Sequence, residues 1–214
     1  MKSKAIVFDL DGTLVDSLGD ISAAFRRAFE THQLTVPEEQ EVRALIGKPL
    51  SEMYASFVEP EYVERLVAAY RADYAERCAE RTRPFPGAVE LLRDLRAAGF
   101  KTAVATTKIT WMARRVTDRL GLTELIDHVQ GTDDFPHKPA PDVIHRALEA
   151  LDAEGLWMVG DTVTDIQAGK AAGLKTYAVS WGTHDAARLA TSQPDVLADD
   201  LEGLRAALLD SVNR

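Results

Sequence analysis

The chain has 214 residues, 46% of them hydrophobic and 28% charged, which suits one sizeable α/β unit with a small appendage and excludes a disordered or collagen-like protein. Its 25 Lys and Arg against 34 Asp and Glu give a net charge of −9, which argues against holding nucleic acid through bulk charge and leaves room for a local anion site. No stretch reaches the roughly 18 uninterrupted apolar residues of a membrane span. Met1 to Lys4 run straight into Ala5-Ile6-Val7-Phe8, so a secretory leader is not expected. The single cysteine, Cys78, permits no intrachain disulfide and fits a cytoplasmic location.

In chain order, Ala5 to Phe8 is a short apolar run closed by Asp9 and the turn signal Asp11-Gly12, a buried strand ending in a loop. From Asp16 to Thr82 the spacing changes. Leu18, Ile21, Phe25, Ala28 and Phe29 recur at helical intervals, as do Val63, Leu66, Val67, Tyr70 and Tyr74, which predicts an all-helical insert. Its connections fall near residues 14–17 and 81–86, where Pro84 and Pro86 before Gly87 favour a loop. Further strands are predicted at residues 102–105, 156–159 and 175–179, and helices at 88–98, 110–120, 142–151 and 165–172. Gly99, Gly121 and Gly173 stand where left-handed helix caps belong. Strands alternating with helices imply a Rossmann-like, doubly wound and mostly parallel sheet, whose ligands bind beyond the carboxyl ends of its strands. The expected division is a core of residues 1–15 and 83–214 and a helical cap of residues 16–82.

The polar strand ends carry the chemistry. Asp9 and Asp11 sit two residues apart after a buried strand, where an unpaired charge is costly. Gly160-Asp161-Thr162-Val163-Thr164-Asp165 repeats the pattern; Asp161 closes a strand, and Asp165 reads either as a helix cap or as a fourth acid. Acids converging on one sheet edge repel unless a cation lies among them. Hard oxygen donors, with no ligand spacing among the five His, point to Mg²⁺ rather than zinc. Lys138, in a loop stiffened by Pro139 and Pro141 just ahead of a helix, supplies a fixed ammonium that offsets the acids and attracts an anion. Thr106 ends its strand with a hydroxyl, and the amides after it suit an anion nest.

With these four elements in this order, the sequence resembles the haloacid dehalogenase superfamily, and within it the small phosphatases typified by phosphoglycolate phosphatase. The resemblance rests on residues 9–17, 104–108, 138–142 and 160–169. It implies a two-step hydrolysis of a small phosphorylated metabolite, with Asp9 as nucleophile and Asp11 as acid and then base. It further implies Mg²⁺ held by a carboxylate oxygen of Asp9, the backbone carbonyl of Asp11, and Asp161. Asp165 would steady the metal's waters or Lys138, and Thr106 with the amides near Leu10 and Thr107 would hold the phosphoryl oxygens. Asp11 argues against dehalogenation, since a halide needs no proton. The insert's one lysine, Lys48, lies in the junction Ile46-Gly47-Lys48-Pro49-Leu50, where it is either solvated or in contact with an anionic leaving group such as that of 2-phosphoglycolate or pyrophosphate. The segment Trp181-Gly182-Thr183-His184 is a further candidate border of the pocket. A phosphosugar mutase or a pyrophosphatase of the same superfamily is the nearest alternative. A phospho-acceptor receiver or a silent binding protein fits less well, because the insert follows the first strand and all four motifs are intact. A monomer and a homodimer are both compatible with the apolar stripes of the insert, and no membrane or nucleic-acid partner is expected.

Overall fold

The computed structural model describes residues 2–210. Six parallel strands form one sheet in the order β5-β4-β1-β6-β7-β8: β1 (Ser3–Phe8), β4 (Lys101–Ala105), β5 (His128–Gln130), β6 (Ala153–Gly160), β7 (Lys175–Val179) and β8 (Val196–Ala198). The chain builds outward from β1 through β4 to β5, then returns to lay β6 on the other side of β1. That reversal makes the carboxyl ends of β4, β1 and β6 a topological switch point, the place where open α/β sheets bind ligands.

Alternation along β1 accounts for the two covered faces. Ile6 and Phe8 join Leu91, Leu92 and Leu95 of α5 (Ala88–Ala97), while Val7 joins Val143 and Ile144 of α7 (Asp142–Leu151) and Ala168 of α8 (Val163–Ala171). The helix α6 (Thr110–Arg119) follows β4, and α9 (Ala186–Ala190) and α10 (Leu201–Asp210) flank β8. Gly99, Gly121 and Gly173 all have positive φ after their helices, as expected of left-handed caps. The fourth of these helices starts at Val163 rather than Asp165. Thr162 is its N-cap, and Asp165 at the third position returns the bond to the Thr162 backbone, so the capping box adds a half-turn ahead of the apolar pattern.

Between β1 and β4 lie α1 (Leu18–Thr31), α2 (Glu39–Arg43), α3 (Leu50–Ala55) and α4 (Pro60–Arg77). Their aromatic centre is Phe25 of α1 stacked on Tyr54 of α3 at 4.1 Å, with Phe29 and Phe57 around them. The chain leaves and re-enters through β2 (Val15–Asp16) and β3 (Arg83–Pro84), which pair antiparallel. Among the described residues, no helix is long and apolar enough to cross a membrane.

Buried Asp20 locks this junction, accepting the N–H groups of Arg81 (2.9 Å) and Thr82 (2.8 Å) and the Thr82 hydroxyl. Burial pushes its carboxyl up, but these bonds outweigh it and hold the group below the usual range. Its contribution is therefore complete above the unfolded aspartate value, ~4, and is lost as pH falls through the lower folded value. Asp20→Ala is expected to cost about 1–3 kcal/mol in urea unfolding at pH 7, because it leaves the Thr82 donors without their acceptor. The deficit relative to wild type should shrink at acid pH.

Candidate active site

Three adjacent strands each deliver one polar residue to the same edge. Asp9 follows β1, and its N–H still pairs with the Val159 carbonyl at 2.8 Å, so the backbone is in register while the carboxylate has left the sheet. Asp161 follows β6 and Thr106 follows β4; all three side chains are buried. Lys138 arrives from the β5–α7 loop. Its ammonium donates to Asp9 Oδ1 (2.6 Å), to the Ala105 carbonyl (3.1 Å) and to Asp165 Oδ1, which uses all three of its N–H bonds. Asp165 spends its other oxygen on the Thr162 N–H and hydroxyl. Asp165 thus both caps its helix and holds Lys138, uniting the two readings of that residue.

Among the described residues, Asp161 forms no ion pair. Its oxygens accept the Thr13 hydroxyl (3.0 Å) and the Thr183 N–H (2.6 Å). Gly12, at φ +86°, and Gly182 pass so close that a Cβ on either would overlap Asp161 Oδ2, which explains the absence of side chains there. One carboxylate oxygen from each of Asp9, Asp161 and Asp165 falls within 4.8 Å of the others. Burial pushes Asp9 well above the ordinary carboxylate range; Lys138 opposes this, and Asp165, Asp161 and Asp11 add to it. Asp161 is pushed up to about 6 by burial and by Asp165. Burial works against the Lys138 ammonium, but Asp165 and Asp9 outweigh it and keep the lysine firmly charged. Three buried carboxylates against one ammonium leave two negative charges uncompensated, and the donors are hard oxygens, so the set fits a divalent cation such as Mg²⁺.

Asp11 faces the same cavity, but its side chain lies outside the three-carboxylate group. Its Oδ1 accepts the Ser17 hydroxyl at 2.6 Å and the Lys108 ammonium at 2.9 Å. Lys108, 7% exposed, also donates to the Tyr74 hydroxyl at 3.0 Å. Reading Thr106 and Thr107 as the useful part of that strand end overlooked Lys108. Lys108 has no neighbouring prolines of the kind that single out Lys138, and a lone lysine after a strand reads as solvated surface. Ser17 and Thr13 were also missed, because hydroxyls in turns carry no distinctive spacing.

Thr106 Oγ1 accepts the Lys108 N–H at 3.2 Å, which curls the loop toward the site. The Leu10 and Thr107 N–H groups form no hydrogen bond to the described residues. Both the sheet edge and the helical segment line a cavity of about 170 Å³. Exposed Lys48 stands on its wall beside Gly47 and Pro49, as does Thr183; Trp181 instead donates its indole N–H to the Thr13 carbonyl, and His184 Nδ1 accepts the Val163 N–H. Arg71 of α4 lines the cavity as well, a residue that helical periodicity alone does not single out.

The strand order is that of a doubly wound, Rossmann-like sheet, here with an aspartate beyond its first strand. The family model for haloacid dehalogenase-like hydrolases matches residues 6–179, and the chain belongs to that family. It is 34% identical over 182 residues to the phosphoglycolate phosphatase of Aquifex aeolicus, covering 84% of this chain and 85% of that one. It is 34% identical over 217 residues to the pyrophosphatase PpaX of Halalkalibacterium halodurans, covering 96% and 100%. A haloacid dehalogenase-like hydrolase from Streptococcus pneumoniae superposes with a TM-score of 0.87 at 30% identity, over 96% of this chain and 98% of that structure.

Proposed function

We propose that this chain is a Mg²⁺-dependent phosphatase that hydrolyses small phosphate monoesters through an aspartyl phosphate on Asp9. The observation that carries this reading is the division of the Asp9 carboxylate: Oδ1 is held by Lys138, whereas Oδ2 takes no hydrogen bond from the described residues and the side chain lines the cavity. A fixed and oriented carboxylate with one free oxygen is arranged to attack. Asp9 and Asp161, with the Asp11 carbonyl, would hold Mg²⁺, which would supply the positive charge that lets a carboxylate approach a phosphate dianion.

Asp9 Oδ2 forms a bond to phosphorus as the ester P–O bond breaks, and Asp11 gives its proton to the departing oxygen. Water then attacks the phosphorus, Asp11 takes a proton from it, and the bond to Asp9 breaks, releasing phosphate. Thr106 and the Leu10 and Thr107 N–H groups, which form no hydrogen bond to the described residues, hold the phosphoryl oxygens. Lys138 keeps the Asp9 carboxylate aimed and tempers its charge. Residues 16–82 act as a cap over the core of residues 1–15 and 83–214, of which residues 1 and 211–214 lie outside the described part. Lys48 and Arg71 reach the cavity from the cap, and neither takes part in an ion pair among the described residues. They favour a leaving group with its own negative charge, as in 2-phosphoglycolate or pyrophosphate.

A screen of phosphate esters with and without Mg²⁺ tests this. Turnover that requires Mg²⁺, with kcat/KM highest for substrates whose leaving group is anionic, is the expected result. Isomerisation of a β-hexose 1-phosphate without free phosphate would overturn it in favour of a mutase.

A further inference from the structure

The ion pair between Lys108 and Asp11 joins residues 97 positions apart, with side chains 7% and 13% exposed. Taking both charges out of water is expensive, and an apolar pair would serve stability as well, so the pair calls for a role other than holding the fold. Its surroundings supply one. The Asp11 Oδ1 atom receives two donors: Ser17, immediately before α1, and Lys108. Ser17 is the N-cap residue of α1, yet its hydroxyl makes no cap bond and donates to Asp11 instead. Lys108 is itself braced from α4. Its ammonium donates to the Tyr74 hydroxyl at 3.0 Å and lies 4.6 Å from the centre of the same ring, which is fully buried and stacked on Tyr70 at 5.2 Å. Two donors on one oxygen fix the rotation of the carboxyl and leave Oδ2, which takes no hydrogen bond from the described residues, as the oxygen that can meet the leaving group.

Building on the reaction proposed above, we infer that Lys108 is a positioning residue that, braced by Tyr74, aims the carboxyl of Asp11 at the leaving-group oxygen when residues 16–82 are packed against the sheet. Both braces, Ser17 and Tyr74, belong to that segment, whereas Asp11 and Lys108 do not. The proton donor is therefore in place only with the segment docked, so proton donation is assembled together with the closed cavity.

The test compares kcat/KM for phenyl phosphate, whose leaving group needs a proton, with that for 2,4-dinitrophenyl phosphate, whose leaving group does not. Lys108→Met is expected to lower the first at least ~10-fold and the second by less than about threefold. Tyr74→Phe, which keeps the stacked ring and deletes only the hydroxyl, should give a smaller loss with the same selectivity. In an Asp11→Asn background, Lys108→Met should add no further selective loss. Equal losses on both substrates in both variants would assign Lys108 to phosphoryl binding or to structure, and no loss would make the pair incidental; either overturns the inference. If Asp11→Asn alone fails to discriminate between the substrates, the acid role of Asp11 falls, and the inference with it.

Discussion

Asp9→Asn is expected to abolish Mg²⁺-dependent release of phosphate from p-nitrophenyl phosphate, by roughly four orders of magnitude or more, while the protein remains folded. An amide keeps the acceptor for the Lys138 ammonium but is too weak a nucleophile to form the phosphoenzyme. The same substitution removes one of three buried carboxylates from a site with one ammonium, so the metal-free variant should be no less stable than wild type at neutral pH. The sign follows from the raised carboxylates. Asp161, pushed up to about 6 by burial and Asp165, contributes most below the unfolded aspartate value and loses that contribution as pH rises through its folded value. The thermal midpoint of the metal-free wild type should therefore fall between pH 5 and pH 7.5, and added Mg²⁺ should restore it most at the higher pH. Differential scanning fluorimetry across that range reads both effects. Retained turnover in Asp9→Asn would remove Asp9 as nucleophile.

The second large effect is at Lys138. Its ammonium is the counter-charge shared by Asp9 and Asp165, with each side chain in the trio less than a tenth exposed. Lys138→Met keeps most of the stem volume and deletes the charge, leaving buried carboxylates facing one another. Breaking a buried pair in this way costs about 3–5 kcal/mol, which for a chain of this size lowers the melting temperature by roughly 6–20 °C, and phosphatase activity should be lost with it. Two controls separate charge from packing. Mg²⁺ should raise the melting temperature of the variant more than that of wild type, and adding Asp165→Asn should recover part of the deficit. A midpoint within about 2 °C of wild type would show that the ammonium does not balance the acids.

How much of this was legible in the sequence depended on the length of each signal. β1, β4 and β7 each carry a four-residue stretch buried on both faces, and the structure reproduces the expected strands to within about two residues. The edge strands β5 and β8 have three residues each, with polar His128 and Gln130 in the first, and so offer no run to detect. Within the insert, the long periodic stretches became α1 and α4, whereas the short α2 and α3 are helical through tertiary contacts such as Tyr54 on Phe25 rather than through any extended stripe. The same distinction separates the site residues. Asp9, Asp161 and Lys138 each stand in a local context that makes a charge anomalous: after a buried strand or in a loop stiffened by two prolines. Thr183, which donates to Asp161, and Tyr74, which accepts from Lys108, come from segments 22 and 34 residues away from their partners, and those pairings are set by folding alone.

The pairing of Val15–Asp16 with Arg83–Pro84 brings the outgoing and returning chain side by side. The sixty-odd residues between them therefore form a graft on the sheet, attached at one two-stranded stem. Changes within that segment need not disturb the strand order, because the chain enters and leaves it through those two paired strands. Asp11 forms a bridge to Val15 of that stem, so the root of the inserted segment lies next to the residue proposed as proton donor. A change confined to that one continuous stretch would therefore alter the cavity wall that Lys48 and Arg71 line and leave the strand ends that carry Asp9 and Asp161 in place.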